Sequence, residues 1–241
     1  MGNTAQMNRL TTWMAPLAML LAGSAAEAQQ DNPVLVELFT SQGCAACPPA
    51  DAVLAELSNR EDVIPLALHV DYWDYIGWKD DFADPGFTKR QKGYARAAGR
   101  RSLYTPQMIV NGRYDVVGSR PMKVVDAIRA ASETASPAKL LVARDGDQLV
   151  IRAEPLAKLP PETVIHLVRY APEKTVSIED GENAGLEVTY TNIAHGWQVI
   201  GSWDGQEPYE TSVPLEGDDP AVVLLQEAQF GPVLASARWK D

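Results

Sequence analysis

The chain holds two cysteines, and they stand two residues apart in the stretch FTSQGCAACPPAD, Phe39 to Asp51. A C-x-x-C pair can be an inert bridge, half of a metal site, or a centre that exchanges disulfides with a substrate. The flanking residues bear on the choice. Val34 to Phe39 is an apolar run interrupted by Glu37, the pattern of a buried central strand. Ala50, Val53, Leu54 and Leu57 then recur at helical spacing, and Pro48 and Pro49 fit a first helical turn. Cys44 therefore falls at a strand-to-helix turn and Cys47 at the helix start, where unsatisfied N–H groups and the helix dipole favour a thiolate. A thiolate attacks disulfides, and a second thiol close by can resolve the mixed disulfide that results.

Two other readings stay open. A bridge closing so short a loop adds little chain-entropy stabilisation, yet it could be an inert surface feature. Structural zinc takes four ligands, and only His69, His166 and His195 could join the cysteines. Copper fits better, because two thiolates and the imidazole of His69 make a soft three-ligand set.

The elements that must hold the pair follow along the chain. Val63 to Val70 reads as a second buried strand. Asp84-Pro85 reads as an N-cap with Pro at N1, and Phe87, Gln91, Tyr94 and Ala98 line one face of a helix ended by Gly99. Arg90, Lys92, Arg96, Arg100 and Arg101 make that helix basic, as a solvated face would be. Gln107–Val110 and Tyr114–Val117 flank the hairpin signal Asn111-Gly112-Arg113. Pro121 opens a last helix with Val124, Val125 and Ile128 on its apolar face. After a linker at residues 133–138 the pattern changes to short runs without helices, from Lys139 to Trp239, which predicts an all-β sandwich over residues 139–241.

The order strand, C-x-x-C helix, strand, helix, Thr105-Pro106, hairpin, helix resembles that of thioredoxin-like oxidoreductases. The resemblance implies an α/β thioredoxin-like domain over residues 29–132, a mixed sheet flanked by helices, ahead of the sandwich. It also implies a cis Pro106 beside the disulfide, with the Thr105 backbone offered to a substrate peptide as an added strand. Glu37, seven positions before Cys44, falls where such enzymes often keep a buried acid, and it could accept the proton of Cys47; its alternative is a solvent-facing side chain. More closely, VELFTSQGCAACPPAD, HVDYWDYIGWKDDF and YTPQMIVNGRYDVVGS resemble a family of exported bacterial proteins catalogued as domain of unknown function 1223. That likeness names no substrate.

Tyr72 and Trp73 follow the second strand, at the sheet edge where ligand sites gather in α/β proteins, so they either line a substrate groove or cover the sheet. Ala45-Ala46 lacks the Pro or His of better-known relatives, so the direction of the redox chemistry stays open. Arg9, the apolar stretch Trp13 to Ala22 and Ala26-Glu27-Ala28 read as an export signal cleaved after Ala28, residues 1–28, placing the mature chain in the periplasm or outside the cell. A membrane span needs about 20 apolar residues, and none follows cleavage. The net charge of −11 argues against nucleic acid as a partner. With 46% hydrophobic residues the chain can bury a core without disulfide staples.

The expectation is an exported thiol-disulfide oxidoreductase with no cofactor beyond its disulfide, Cys44 attacking, Cys47 resolving and Pro106 shaping the groove. Its partners would be protein or small-molecule thiols and disulfides. A copper carrier and a noncatalytic binding protein are the alternatives.

Overall fold

In a computed structural model, residues 1–2 and 32–240 are described; the expected export signal and its cleavage site lie outside the described residues. The order is β1 (Val34–Thr40), α1 (Pro48–Ser58), β2 (Val63–His69), a 3-10 turn (Asp71–Ile76), α2 (Pro85–Ala97), β3 (Gln107–Val110), β4 (Tyr114–Val117) and α3 (Pro121–Ser132). Seven strands follow, β5 (Ala138–Asp145), β6 (Gln148–Pro155), β7 (Thr163–Ser177), β8 (Glu187–Trp203), β9 (Tyr209–Pro214), β10 (Ala221–Glu227) and β11 (Val233–Trp239).

β1 and β2 are parallel and buried along their whole length, while β3 and β4 add antiparallel on the other side of β1. The β3–β4 turn has Asn111 at φ 46° and Gly112 at φ 66°, the left-handed pair that a tight hairpin demands. Side chains on β1 alternate between two cores. Val34, Val36 and Leu38 meet α1 and α3, whereas Leu35 and Phe39 meet Phe87 and Tyr94 of α2.

The C-terminal strands do not stand apart from this sheet. β8 runs parallel beside β2 at Ala67 and Ile193, and the Asn192 side-chain amide donates to the Pro65 carbonyl at 2.9 Å. One eight-stranded mixed sheet results, in the order β11-β10-β7-β8-β2-β1-β3-β4, with a separate three-stranded antiparallel sheet β5-β6-β9. The small sheet lies over the C-terminal end of the large one. Ala221, Val223 and Leu225 of β10 face Leu149 and Ile151 of β6, while Val222 and Leu224 join the α2 core. Burial on both faces explains the unbroken apolar run Ala221–Leu225.

The short runs Thr163–Tyr170 and Thr175–Ile178 of the sequence fuse into β7, and Leu186–Tyr190 and Trp197–Trp203 into β8. β7 passes through Pro172 and β8 through Asn192 and Gly196, both at positive φ. Beyond residue 170, β7 has no partner on its β10 side, so proline costs it little there. β9 buries little and its sequence is a polar alternation without a strand's apolar run.

The helix α2 differs from its sequence reading at Ala98, which is its exposed C-cap, and at Arg90. Arg90 is not on a solvated face; it is 5% exposed and its Nε donates to Glu37 Oε1 at 2.5 Å. Gly93, one turn on, is needed for a close approach, since a Cβ there would fall 2.3 Å from the Phe230 ring. In α3, Val124 and Ile128 are buried as expected but Val125 is exposed, and Ala127 and Ala131 complete the inner face.

Candidate functional site

β1 ends at Thr40, and the chain turns through Ser41-Gln42-Gly43 before α1. The Cys44 N–H donates to the Ser41 carbonyl and the Cys47 N–H to the Cys44 carbonyl, which rounds the chain into the helix. Cys47 is the N-cap of α1, and Pro48 and Pro49 occupy the first turn, where missing N–H groups leave nothing unsatisfied. Cys44 and Cys47 are joined as a disulfide.

The Thr105-Pro106 peptide is cis and lies against the pair. The Thr105 hydroxyl donates to Cys44 Sγ at 3.2 Å, and it accepts from the Trp73 indole N–H at 2.8 Å. The indole fills one lone pair of the hydroxyl and leaves its hydrogen for the sulfur. Of the two residues named for a groove, Trp73 thus reaches the site through Thr105, while Tyr72 packs with it against the α2 core; both are half-buried. Burial pushes the Tyr72 hydroxyl above its ordinary pKa, with Gln91 and Thr105 pulling it back.

The sulfurs are more enclosed than a helix-start position alone implies. Cys44 is 2% exposed and Cys47 is fully covered, although Ala45 and Ala46 between them are exposed. The 3-10 turn packs against the residue before Cys44: at Gly43 an added Cβ would meet Ile76 Cδ1 at 3.3 Å and Trp73 Cβ at 3.4 Å. From the other half of the chain, Asn183 donates its amide to the carbonyls of Gln42, at 2.8 Å, and Cys44, at 3.1 Å. Trp78 Nε1 donates to the Gln42 side chain at 2.7 Å. The turn that carries the cysteines is therefore held on three sides. A cleft of about 740 Å³, bordered by Asn32, Asp62, Asn111, Arg113, Tyr114 and Pro232, lies at the opposite end of β1 and includes neither sulfur.

Glu37 is engaged away from the disulfide. It points to the α2 side of the sheet, opposite α1, and is fully buried. Besides Arg90 it accepts from the Tyr94 hydroxyl at 2.6 Å, and Arg90 in turn donates to Gln226 and lies 4.0 Å from the centroid of Trp197. The pair thus has the hydrogen bonds that a buried ion pair requires. It links β1 and α2 to β10.

Sequence reasoning gave no role to Asp51, which the structure places one turn along α1 from Cys47. Asp51 is 7% exposed, and the Thr40 hydroxyl donates to its Oδ1 at 2.9 Å. Burial pushes its carboxyl up to about 7, with His69 and the Thr40 hydroxyl pulling down and Asp80 adding to the rise. His69 sits beside Thr40 in the β1–β2 register, and its Nδ1 contacts Asp80 Oδ2 at 2.7 Å with both side chains sealed from solvent. Asp80 also accepts from the Gln42 N–H at 2.8 Å. The copper set of Cys44, Cys47 and His69 is not assembled here: the sulfurs bond each other, and no group of three metal-ligating side chains occurs among the described residues. No helix among the described residues is long and apolar enough to cross a membrane.

Residues 35–226 match the family described as a protein of unknown function, DUF1223. The crystal structure of the Agrobacterium tumefaciens protein AGR_C_4864 is similar, with a TM-score of 0.76 and 32% identity, over 88% of this chain and 96% of that one. HBP35 of Porphyromonas gingivalis shares the fold at a TM-score of 0.60 and 14% identity, over 87% of this chain and 75% of that one. No curated protein matches.

Proposed function

We propose that this chain, which belongs to the DUF1223 family, is an exported thiol-disulfide oxidoreductase built on a thioredoxin-like unit and acting through Cys44 and Cys47. The observation that carries this reading is the Thr105 hydroxyl, oriented by Trp73 and aimed at Cys44 Sγ. An inert bridge has no need of a donor to sulfur; a nucleophilic sulfur does, because a hydrogen bond to the charged form favours it. The order β1-α1-β2-α2, cis-proline, β3-β4-α3 supports the same reading.

In the reducing direction, the Cys44 thiolate attacks a substrate disulfide RSSR, forming a Cys44 mixed disulfide and releasing one RS⁻. The Cys47 thiolate then attacks Cys44 Sγ, closing the Cys44–Cys47 bond and releasing the second RS⁻. The pair loses two electrons and the substrate gains them. The helix start and Thr105 stabilise the attacking thiolate. The Thr105 backbone, next to Cys44, is offered to a peptide substrate as an added strand. Residues 29–132 supply the redox unit and 139–241 brace it, with export to the periplasm or beyond providing the redox setting.

The test is equilibration of the full mature chain in glutathione buffers, followed by thiol alkylation. A single two-electron transition, with turnover of a disulfide substrate lost in Cys44→Ser, supports the reading. A pair that stays oxidised across the whole range, or turnover unchanged in Cys44→Ser, ends it.

A further inference from the structure

Below the disulfide lies a buried polar group that the exchange steps above leave idle. Its centre is Asp51. The Asp51 N–H donates to the Cys47 carbonyl at 3.1 Å, so the two residues are a helical turn apart, and side chains at that spacing are neighbours on one face. That face is the inner one: Cys47, Ala50, Asp51 and Leu54 are all buried.

The carboxyl is only half satisfied. Thr40 serves Oδ1, while Oδ2 is buried without a partner. An unpartnered buried carboxylate oxygen is costly to keep. The groups around it come from every neighbouring element. β1 supplies Thr40, β2 supplies His69, the segment after the 3-10 turn supplies Asp80, and β8 supplies Tyr190. His69 Nε2 is likewise buried and unpartnered, with Phe82 and Tyr190 edge-on to the ring. Glu37 lies across the sheet and cannot serve this side.

We propose that Asp51 exchanges a proton with Cys47 as the disulfide opens and closes, with Thr40 and the His69–Asp80 pair positioning and tuning it. This deepens the redox reading and rests on it. When an external thiolate attacks Cys44 Sγ, the S–S bond breaks and Cys47 leaves with the electron pair. Protonated Asp51 gives that sulfur its proton, leaving Cys47–SH and a carboxylate. In the reverse step the carboxylate takes the Cys47 proton, and the resulting thiolate attacks Cys44 Sγ and expels RS⁻. A carboxyl lifted by burial to about 7 can do both near neutral pH.

The experiment follows single-turnover reduction of the oxidised full mature chain by dithiothreitol from pH 5 to 9, normalised to dithiothreitol thiolate. Wild type should show an inflection near 7, and Asp51→Asn should lose it and slow about a hundredfold at pH 6. Alongside, the Asp51 carboxyl is titrated by carbon NMR in oxidised and reduced wild-type protein, where coupling to Cys47 should separate the two titrations by about one pKa unit or more. Equal profiles in wild type and Asp51→Asn, or one unchanged carboxyl titration in both redox states, would overturn the proposal while leaving the redox reading intact. The NMR comparison decides alone if the variant does not fold. A wild-type disulfide that dithiothreitol cannot open would instead remove the redox reading itself.

Discussion

The Thr105 hydroxyl lies 3.2 Å from Cys44 Sγ, and its orientation is set by Trp73, whose indole N–H is 2.8 Å from the same oxygen. Removing the hydroxyl takes away a hydrogen bond to a charged sulfur. In reduced protein, Thr105→Val should raise the Cys44 thiol pKa by about one unit, the lower end of what a hydrogen bond to an ion contributes. Thr105→Ser should restore it. Thiolate absorbance against pH is the measurement, and equal curves for Val and Ser would count against the hydroxyl.

Glu37 and Arg90 make a different prediction. Glu37→Leu strands a buried guanidinium and should cost about 3–5 kcal/mol in urea denaturation. The double variant Glu37→Leu with Arg90→Met should cost less than the single one, because no charge remains unpaired. Reduction of the disulfide by dithiothreitol in the folded fraction should keep the wild-type rate.

Asp51 and His166 oppose each other in their effect on stability with pH. Burial, aided by Arg90, presses His166 from 6.5 down to about 3, and its Nδ1 accepts from the Trp197 indole. Its folded pKa is depressed, so its stabilisation holds above 6.5 and is lost as pH falls towards 3. The Asp51 pKa is raised from 3.8 to about 7, so its stabilisation holds below 3.8 and is lost as pH rises through 7. Between pH 4 and 6.5 the two slopes counter one another. In Asp51→Asn the stability should therefore climb with pH over that window, by at most about 1.4 kcal/mol per pH unit from one proton. In His166→Phe it should fall. Chemical denaturation at several pH values reads both slopes, and parallel curves for the two variants would refute the assignment.

Much of the N-terminal half was legible because its signals are local. Strand runs, the Asp84-Pro85 cap and the Asn111-Gly112 turn all act within a few residues, and the structure has each of them. Long-range partnerships were not. Arg90 reads as a surface cation until Glu37, 53 positions away, is seen beneath it. Asp51 drew no role from the sequence, since an acid in the first turn of a helix is ordinary there. Only the tertiary placement of Thr40 and His69 beside it shows that water is excluded. The continuity of the large sheet was hidden because Pro172 and Gly196 look like strand ends, whereas the ladder passes through them.

Asn183 supplies a fourth prediction. Asn183→Ala removes both donors to the cysteine turn and should cost about 1–3 kcal/mol, since the carbonyls of Gln42 and Cys44 lose their side-chain partner. The loosened turn should let dithiothreitol open the disulfide several-fold faster. An unaltered reduction rate would mean that the brace does not limit access.

That contact spans 139 positions of sequence. A chain emerging N-terminus first therefore presents its two thiols long before the asparagine that will fasten their loop has arrived. During this interval they stand open to any oxidant present, so bond closure can precede enclosure. The loop between β7 and β8 then acts as a latch that shuts over chemistry already completed.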